Sequence, residues 1–536
     1  MKNMKKYNCF LLAISFLFLF TACNDDFLNL SPKDMLSEDT FWADETDAYN
    51  ALVGVYSRYT DYENVNIYYD QLLGLSARSD EAVNVWKGSN YNNLGAGNIS
   101  PFDDYIYVQW AIRYRIIRTC NVFLSNINRP TMDEGKRKRM IAEVKFLRAF
   151  AYHYLLLNYG GVPIVEEPLT LEELKRPRDT AEKVLEFILA DLKDDEINLL
   201  PTTYSDEYKG RITRGAAYAL KARVLLYAGK WNEAATAAKT VMDFGDYTLF
   251  PDYEELFESA NKYNSEILYA WQYVGQEMAN YTQIYLHYPT FGGWGGVNPI
   301  KSFIDEFPCT DGKSSYNSSV YNSEKPYENR DPRFYMSIIY PGATYRGNVV
   351  PIYGTIDYPG ETGNSSQSGY YVRKFLDNTS VSNNLIQAES NVILIRYAEV
   401  LLTYAEAKIE ANSIDQSVYD AINSLRARAY GVDIQETTKY PAVTGGTQTE
   451  LRDILRRERL AELCFEGQRR DDIIRWRIAE NVMDGNCYGI PKVVGGENIM
   501  VMERKFDPAI HYLFPIPQTE IDLIGKDILK QNPGWE

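Results

Sequence analysis

Residues 213–243 have the sequence TRGAAYALKARVLLYAGKWNEAATAAKTVMD, and this stretch decides the fold class. Thr213 to Ala228 is rich in Ala and Leu, the pattern breaks at Gly229, and helical periodicity then resumes. The small residues Ala217 and Ala222 allow a second helix to approach closely. The stretch therefore predicts two antiparallel helices packed against each other.

The pair resembles a tetratricopeptide repeat, in which helical pairs stack and bury shared faces. A second stretch repeats the theme, because Val392 to Ala411 and Gln416 to Tyr430 have helical periodicity around a break near Ser413. We therefore expect a mainly α protein whose tetratricopeptide-like helical pairs form a scaffold.

Other stretches place apolar residues at three- and four-residue steps, which is typical of helices that bury one face. They are Asp44–Tyr59, Tyr105–Ile127, Asp133–Asn158, Thr180–Leu199 and Thr449–Phe465. The last of these alternates Arg with Glu on its polar face, which predicts a face held by salt bridges.

Two intervening segments differ in composition from the helical regions. Residues 61–104 are rich in Tyr, Asn and Asp, and residues 245–390 are rich in Gly, Pro, Ser and Asn, with short apolar runs at Glu266–Tyr273 and Val349–Tyr353. Both are too aromatic to be mostly disordered. They predict an irregular, loop-rich face with a few short strands, and loops held by a rigid scaffold commonly carry function.

The amino terminus has the pattern of a lipoprotein signal peptide over residues 1–22. Three lysines precede an apolar run from Phe10 to Phe20, which is too short to cross a bilayer. Thr21 and Ala22 then lead to Cys23, in a context that resembles a bacterial lipobox. By that resemblance Cys23 is the acylated first residue of the mature chain. The alternative is an ordinary secreted protein in which Cys23 is incidental.

Charge excludes one class of partner. The chain of 536 residues has a formal net charge of −17, whereas nucleic-acid binding requires Lys and Arg to neutralise phosphates. No other segment approaches the length of apolar sequence that a transmembrane helix requires. We expect contact with a membrane through the lipid anchor only, and no nucleic-acid partner.

Cysteine, histidine and motif content favour no enzyme class. Cys120, Cys309, Cys464 and Cys487 fit no zinc or redox spacing, and a disulfide among them stays open because geometry decides it. No nucleophile elbow, P-loop, zinc-protease motif or complete EF-hand loop is present. A pair of catalytic carboxylates is defined by spatial separation, so a glycoside hydrolase stays an alternative. No cofactor is predicted, and a structural calcium ion stays open.

A set of short motifs, in order along the chain, resembles the SusD/RagB family of outer-membrane nutrient-binding lipoproteins. The motifs are Cys23-Asn24-Asp25-Asp26-Phe27-Leu28 with Pro32, Phe41-Trp42, Arg148-Ala149-Phe150-Ala151-Tyr152, Tyr159-Gly160-Gly161-Val162-Pro163, Asp311-Gly312, Arg330-Asp331-Pro332-Arg333, Arg373-Lys374, Arg396-Tyr397-Ala398-Glu399, residues 458–467 (ERLAELCFEG), Phe514-Pro515-Ile516-Pro517 and Asn532-Pro533-Gly534-Trp535. Their shared order covers essentially the whole mature chain.

The resemblance implies a location and a function. Such proteins are lipid-anchored at the outer membrane, exposed at the cell surface, and capture oligosaccharides for a partner TonB-dependent, SusC-like transporter. No catalysis is expected, and capture of oligopeptides, as in RagB-like members, is an alternative. Residues 23–245 would form an N-terminal SusD-like helical region and residues 246–536 a RagB/SusD C-terminal region, packed together as one body.

Two segments combine aromatic rings with polar side chains, which together suit the apolar faces and hydroxyls of sugars. The first contains Trp86 and Tyr91, with Asn84 and Asp80 as polar partners, although Asp80 also suits a loop anchor. The second runs from Tyr281 to Pro299. These segments predict the ligand-binding residues Trp86, Tyr91, Asn84, Asp80, Tyr288, Trp294 and Arg373.

The same sequence features also allow structural roles for these predicted ligand-binding residues. Four glycines surround Trp294 and predict a tight, mobile backbone, but they would also let the ring reach a core. The position of Arg373 within a family motif favours a structural role. Residues 61–104 hold seven acids and two bases, which predicts a neutral or weakly charged glycan.

Overall fold

The computed structural model describes residues 41–59, 74–275, 279–378 and 385–536. The predicted signal peptide, Cys23 and residues 61–73 lie outside the described residues. The described helices are α1 (Glu45–Ser57), α2 (Asn90–Ala96), α3 (Asp104–Asn126), α4 (Glu134–Tyr159), α5 (Ala181–Asp191), α6 (Asp194–Ile197), α7 (Arg214–Tyr227), α8 (Trp231–Phe244), α9 (Thr282–Leu286), α10 (Lys301–Glu306), α11 (Pro332–Ser337), α12 (Tyr397–Glu410), α13 (Gln416–Ala429), α14 (Gln448–Leu463), α15 (Arg469–Arg475), α16 (Ala479–Val482) and α17 (Gln518–Ile524).

The strands are short and pair only in twos within the described ranges. They are β1 (Ala82–Asn84), β2 (Ile267–Trp271), β3 (Val297–Pro299), β4 (Ile338–Ile339), β5 (Ala343–Tyr345), β6 (Asn348–Val350), β7 (Tyr371–Val372), β8 (Val392–Arg396), β9 (Gly485–Pro491) and β10 (Asn498–Arg504). The antiparallel pairs are β1–β3, β2–β8, β4–β7, β5–β6 and β9–β10. The prediction of a mainly α body with a few short strands is confirmed.

The helical pairs form as their sequence predicts. The Thr213 hydroxyl caps α7 by accepting a hydrogen bond from Ala216 N, and Gly229 turns the chain into α8 with φ of +71°. Buried alanines, among them Ala217 and Ala238, let the helices pack closely. Helix α8 also packs against α12, which pairs with α13, so the two hairpins stack.

Two predicted helices need correction. Residues 392–396 form strand β8 against β2, and helix α12 begins only at Tyr397. The run Val392 to Ile395 is dominated by β-branched residues, which favour a strand. The helical periodicity that begins after this run concealed the boundary between strand and helix. The predicted helix over 180–199 is broken between α5 and α6, where Lys193 adopts an extended backbone.

Apolar side chains form one large core among the helical pairs and a second, smaller core beneath the irregular face. Cys120, Cys309, Cys464 and Cys487 are all buried and free, which settles the disulfide question for these four. In the described ranges, no helix has the length and apolar character to cross a membrane. No group of three or more His, Cys, Asp or Glu side chains in those ranges is placed to hold a metal ion, and a structural calcium ion stays a hypothesis.

Helix α14 carries the predicted salt bridges, but they lie inside the protein. Glu462 contacts Arg333, Arg396 and Arg428, which come from α11, the end of β8 and α13. Burial alone would raise the pKa of Glu462, but the three guanidinium groups outweigh it and hold that pKa well below its ordinary value. The Arg and Glu pattern of α14 thus joins four elements across the core.

Candidate functional site

The two predicted tryptophans meet at the surface. The ring centroids of Trp86 and Trp294 lie 6.1 Å apart, with their planes inclined at 61°. Trp86 is 41% exposed, and Trp294 is partly buried against the smaller core. Aromatic pairs at this distance attract each other and bury apolar area while leaving ring surface accessible. Two residues that are distant in sequence therefore form one aromatic surface.

Strand pairing explains why they meet. Strands β1 and β3 are antiparallel, with Asn84 opposite Val297, and Val85 N extends the pairing by donating to Gly296 O at 3.0 Å. Trp86 follows the end of β1, and Trp294 precedes the start of β3. In an antiparallel pair these two ends are neighbours, so the loops emerge side by side.

Asn84 was predicted to bind ligand, but it lies under the site as a support. It is 1% exposed, and its amide oxygen accepts a hydrogen bond from Trp86 N at 3.0 Å. Its amide nitrogen donates to the Tyr285 hydroxyl at 2.7 Å. Asn92 closes the loop by donating to the carbonyls of Asn84 and Trp86 at 2.9 and 3.0 Å. These bonds fix the backbone that presents Trp86.

The glycines around Trp294 serve close packing. A Cβ at position 293 would lie 2.0 Å from His287 O, and one at position 296 would lie 2.6 Å from the Tyr285 ring. Trp294 N donates to Ile284 O at 2.7 Å, and Gly295 N donates to His287 O at 2.9 Å. The predicted tight backbone is present, but it is hydrogen-bonded to α9 and its flanks, which argues against the predicted mobility.

The four further candidates are each engaged in contacts with other protein side chains. Asp80 forms a bidentate ion pair with Arg469, with nitrogen–oxygen distances of 2.8 and 2.7 Å. This contact agrees with the alternative role of Asp80 as a loop anchor. The Tyr91 ring is buried edge-on against Tyr105, because that face of α2 turns into the large core. These two residues therefore have structural positions.

Tyr288 and Arg373 belong to the second segment and also have structural positions. Tyr288 is buried among the rings of Phe291, Tyr345 and Tyr371. Arg373 donates from Nε and Nη2 to Glu254 Oε1 at 3.0 and 2.7 Å. The structural role that its motif favoured agrees with this ion pair.

The acidic side chains that are close to Trp86 in sequence lie below the protein surface. Glu81, at the root of β1, is buried, and Phe465 N donates to its carboxylate at 3.0 Å. Burial raises the pKa of Glu81 to about 7, against the lowering effect of that hydrogen bond. With Asp80 paired to Arg469, the two acids nearest Trp86 in sequence present little charge to a ligand.

Two protein-family models match this chain. The family model described as "SusD family" matches residues 256–535, which is just over half of the chain, and the model described as "Starch-binding associating with outer membrane" matches residues 26–226. The chain belongs to the SusD family.

Solved structures and curated relatives agree. A SusD-like carbohydrate-binding protein from Bacteroides fragilis is 30% identical with a TM-score of 0.82, and the match covers 90% of this chain and 99% of the other. A laminarin-binding SusD-like protein is 25% identical with a TM-score of 0.70, covering 92% of this chain and all of the other. A SusD-like protein of Formosa agariphila is 25% identical over 501 residues, which are 89% of this chain and 91% of the relative.

Two residues of this SusD-family protein were missed as site components. Tyr285 lies beneath the tryptophans, with its ring centroid 6.0 Å from that of Trp86. Gln367 donates from Nε2 to the carbonyls of Asn84 and Val85 at 2.6 and 2.9 Å. Tyr285 lies within the aromatic segment from Tyr281 to Pro299, so the sequence contained a signal for it. Gln367 comes from a distant Ser- and Gly-rich loop, where no local pattern marks it.

Proposed function

We propose that this protein is a cell-surface glycan-binding lipoprotein that captures neutral oligosaccharides and delivers them to a TonB-dependent outer-membrane transporter. The observation that carries the proposal is the contact between Trp86 and Trp294 on an exposed face. Family membership supports it, as do the carbohydrate-binding and laminarin-binding descriptions of two structural neighbours.

The geometry suits capture without chemistry. Sugar rings stack their apolar C–H faces on indole, and the surrounding polar groups bond their hydroxyls. The two ring planes are inclined at 61°. They therefore suit a glycan whose successive sugar units are rotated relative to each other better than they suit a glycan with a flat, ribbon-like chain. Asp80 is paired and Glu81 is buried, so neither is placed as an acid catalyst beside the tryptophans.

The remaining steps rest on the family and on the amino-terminal sequence. Cys23 would carry the lipid that holds the protein at the outer membrane, and the family model's description associates such proteins with that membrane. The stacked helical pairs would face the transporter, leaving the irregular face towards the medium. No catalytic turnover is expected.

A binding screen tests the proposal. Affinity electrophoresis of the purified protein in gels containing laminarin, soluble starch, xylan, galactomannan or polygalacturonate would reveal a retarding polymer. We expect retardation by at least one neutral polymer, and loss of it in Trp86→Ala.

A matched variant gives the control for the screen. Trp231→Ala removes a partly buried ring from the helical pairs and should bind as the wild type does. Release of reducing sugar would support the glycoside hydrolase instead, and binding of oligopeptides alone would support the RagB-like alternative.

A further inference from the structure

A polar cavity lies beside Phe291, in the loop that also carries Trp294. Its volume is ≈ 530 Å³, and it is lined by Glu254, Arg346, Arg373 and Asn378.

 

Phe291 and Tyr345 border the cavity, because the Arg346 guanidinium lies 5.8 Å from the first ring centroid and 5.6 Å from the second. Phe291 and Trp294 belong to the same loop, so the cavity and the aromatic surface are neighbours along one segment.

The backbone at Arg346 is unusual for its residue type. Arg346 and Gly347 form the turn between β5 and β6, with φ of +47° and +75°. Two successive positive φ values define a turn that favours Asn-Gly, and an arginine at its first position occupies a region that side-chain-bearing residues rarely adopt. A glycine would therefore fit this position of the turn without backbone strain.

The two arginines that line the cavity differ in their partners. Arg373 is committed to Glu254 and, through Nη1, to Thr344 O at 3.0 Å. Arg346 donates from Nη2 to Asp377 O, and its unpartnered Nε is buried, whereas its Nη1 forms no hydrogen bond or ion pair within the described ranges. Arg346 therefore retains hydrogen-bonding capacity at the cavity.

Glu254 supplies hydrogen-bond acceptors that complement the donors of Arg346. Its Oε1 accepts from both Arg373 nitrogens and from Asn378 Nδ2 at 2.9 Å, whereas Oε2 accepts no hydrogen bond within the described residues. The side chain is 25% exposed. A hydroxyl group both donates and accepts, so it can satisfy a guanidinium and a carboxylate together. A carboxylate or sulfate only accepts and would be repelled by Glu254.

We propose that this cavity is a second subsite of the glycan-binding surface, which recognises hydroxyl groups of a further sugar unit through Arg346 and Glu254. The ligand would be a neutral oligosaccharide that runs along the loop from Trp86 and Trp294 to Arg346. This inference rests on the proposed function and adds a requirement for ligand length.

The substitution Arg346→Gly tests the subsite, because glycine suits the positive φ and leaves the turn intact. Calorimetric titration would use a disaccharide and a long oligomer from whichever neutral polymer binds in the screen. We expect Arg346→Gly to weaken binding of the long oligomer about tenfold or more, as for loss of a hydrogen bond to a charged group. Binding of the disaccharide should be unchanged.

Arg477→Gly is the matched control, since Arg477 is an exposed arginine with φ of +56° next to Tyr512. It should bind both ligands as the wild type does. Equal binding of the long oligomer by Arg346→Gly and wild type, with Trp294→Ala weakened, would overturn the subsite alone. Polygalacturonate binding that depends on Arg346 would overturn the assignment to hydroxyl groups. Failure of every neutral polymer to bind the wild type would contradict both proposals.

Discussion

At the scale of single residues, buried polar groups position the exposed aromatic ring. Asn92 satisfies three backbone groups of the segment that leads to Trp86, and Asn84 links that segment to Tyr285. Burial of these amides is favourable only because their hydrogen bonds are made. The sequence marked both residues as polar, but only the fold shows that they face inwards.

Asn92→Ala should lower stability and binding together. Each buried group left without a partner costs about 1–3 kcal/mol, and the Trp86 loop would lose its anchor. Thermal unfolding and titration with the bound glycan would measure both effects. The neighbour Asn93 is exposed, so Asn93→Ala is the control and should change neither quantity. Unchanged stability in Asn92→Ala would contradict the positioning role.

Glu81 predicts a pH dependence of stability. Its folded pKa of about 7 exceeds the value of about 4.3 for an unfolded glutamate. Between these values the folded protein holds a proton that the unfolded chain releases, so this group's contribution to stability falls as the pH rises through the window. Relative to wild type, Glu81→Gln should gain in melting temperature from about pH 4 to about pH 7 and level off above. A constant offset at every pH would contradict this prediction.

At the scale of elements, α14 is an internal connector. Glu462 is 0% exposed and holds arginines from three other elements. Because its pKa is lowered on folding, its stabilising contribution is present above the unfolded value and is lost as the pH falls below it. Acid should therefore loosen the junction of these elements.

Glu462→Gln should be strongly destabilising. Removing one partner from a buried ion-pair network costs about 3–5 kcal/mol, because charge is left uncompensated. Glu410→Gln on α12, whose pair with Arg452 is only partly buried, should cost about 1 kcal/mol or less. Chemical denaturation of the two variants at neutral pH would compare them, and equal losses would contradict the internal role of α14.

Periodicity predicted most helices because their buried stripes extend over many residues. It failed at Val392–Arg396, where β-branched residues pair with β2 and the helical periodicity that follows concealed the boundary. Trp86 and Trp294 were predicted as separate site residues, because each stands among polar residues or glycines without a helical period. Their contact depends on the pairing of β1 with β3, which no local pattern shows. The roles of Asp80, Tyr91 and Tyr288 depended on partners distant in sequence, such as Arg469, which no local pattern identifies.

At the scale of the whole molecule, stacked helical pairs hold an irregular face with its own smaller core. The aromatic surface sits where the β1 and β3 loops leave that core. The proposed lipid anchor at Cys23 would keep this body beside a transporter at the outer membrane. Whether the chain divides at residues 245 and 246 stays a prediction.

Cys23→Ala should release the protein from membranes. Acyl chains contribute about 0.8 kcal/mol for each buried CH₂, and the sequence offers no other anchor. Fractionation of cells that lack the partner transporter would measure the change. Persistent membrane association of the variant in that background would contradict lipid anchoring at Cys23.

The most direct test of the central claim is calorimetric titration of wild type, Trp86→Ala and Trp294→Ala with the neutral oligosaccharide that binds, together with melting curves. Wild-type dissociation constants from roughly 10 μM to 1 mM are expected for reversible capture. Each variant should lose about 1–3 kcal/mol of binding free energy. Trp86→Ala should melt close to wild type because Trp86 is 41% exposed and lies outside both cores. Variants that bind normally, with or without early melting, would contradict a glycan-binding role for the tryptophans.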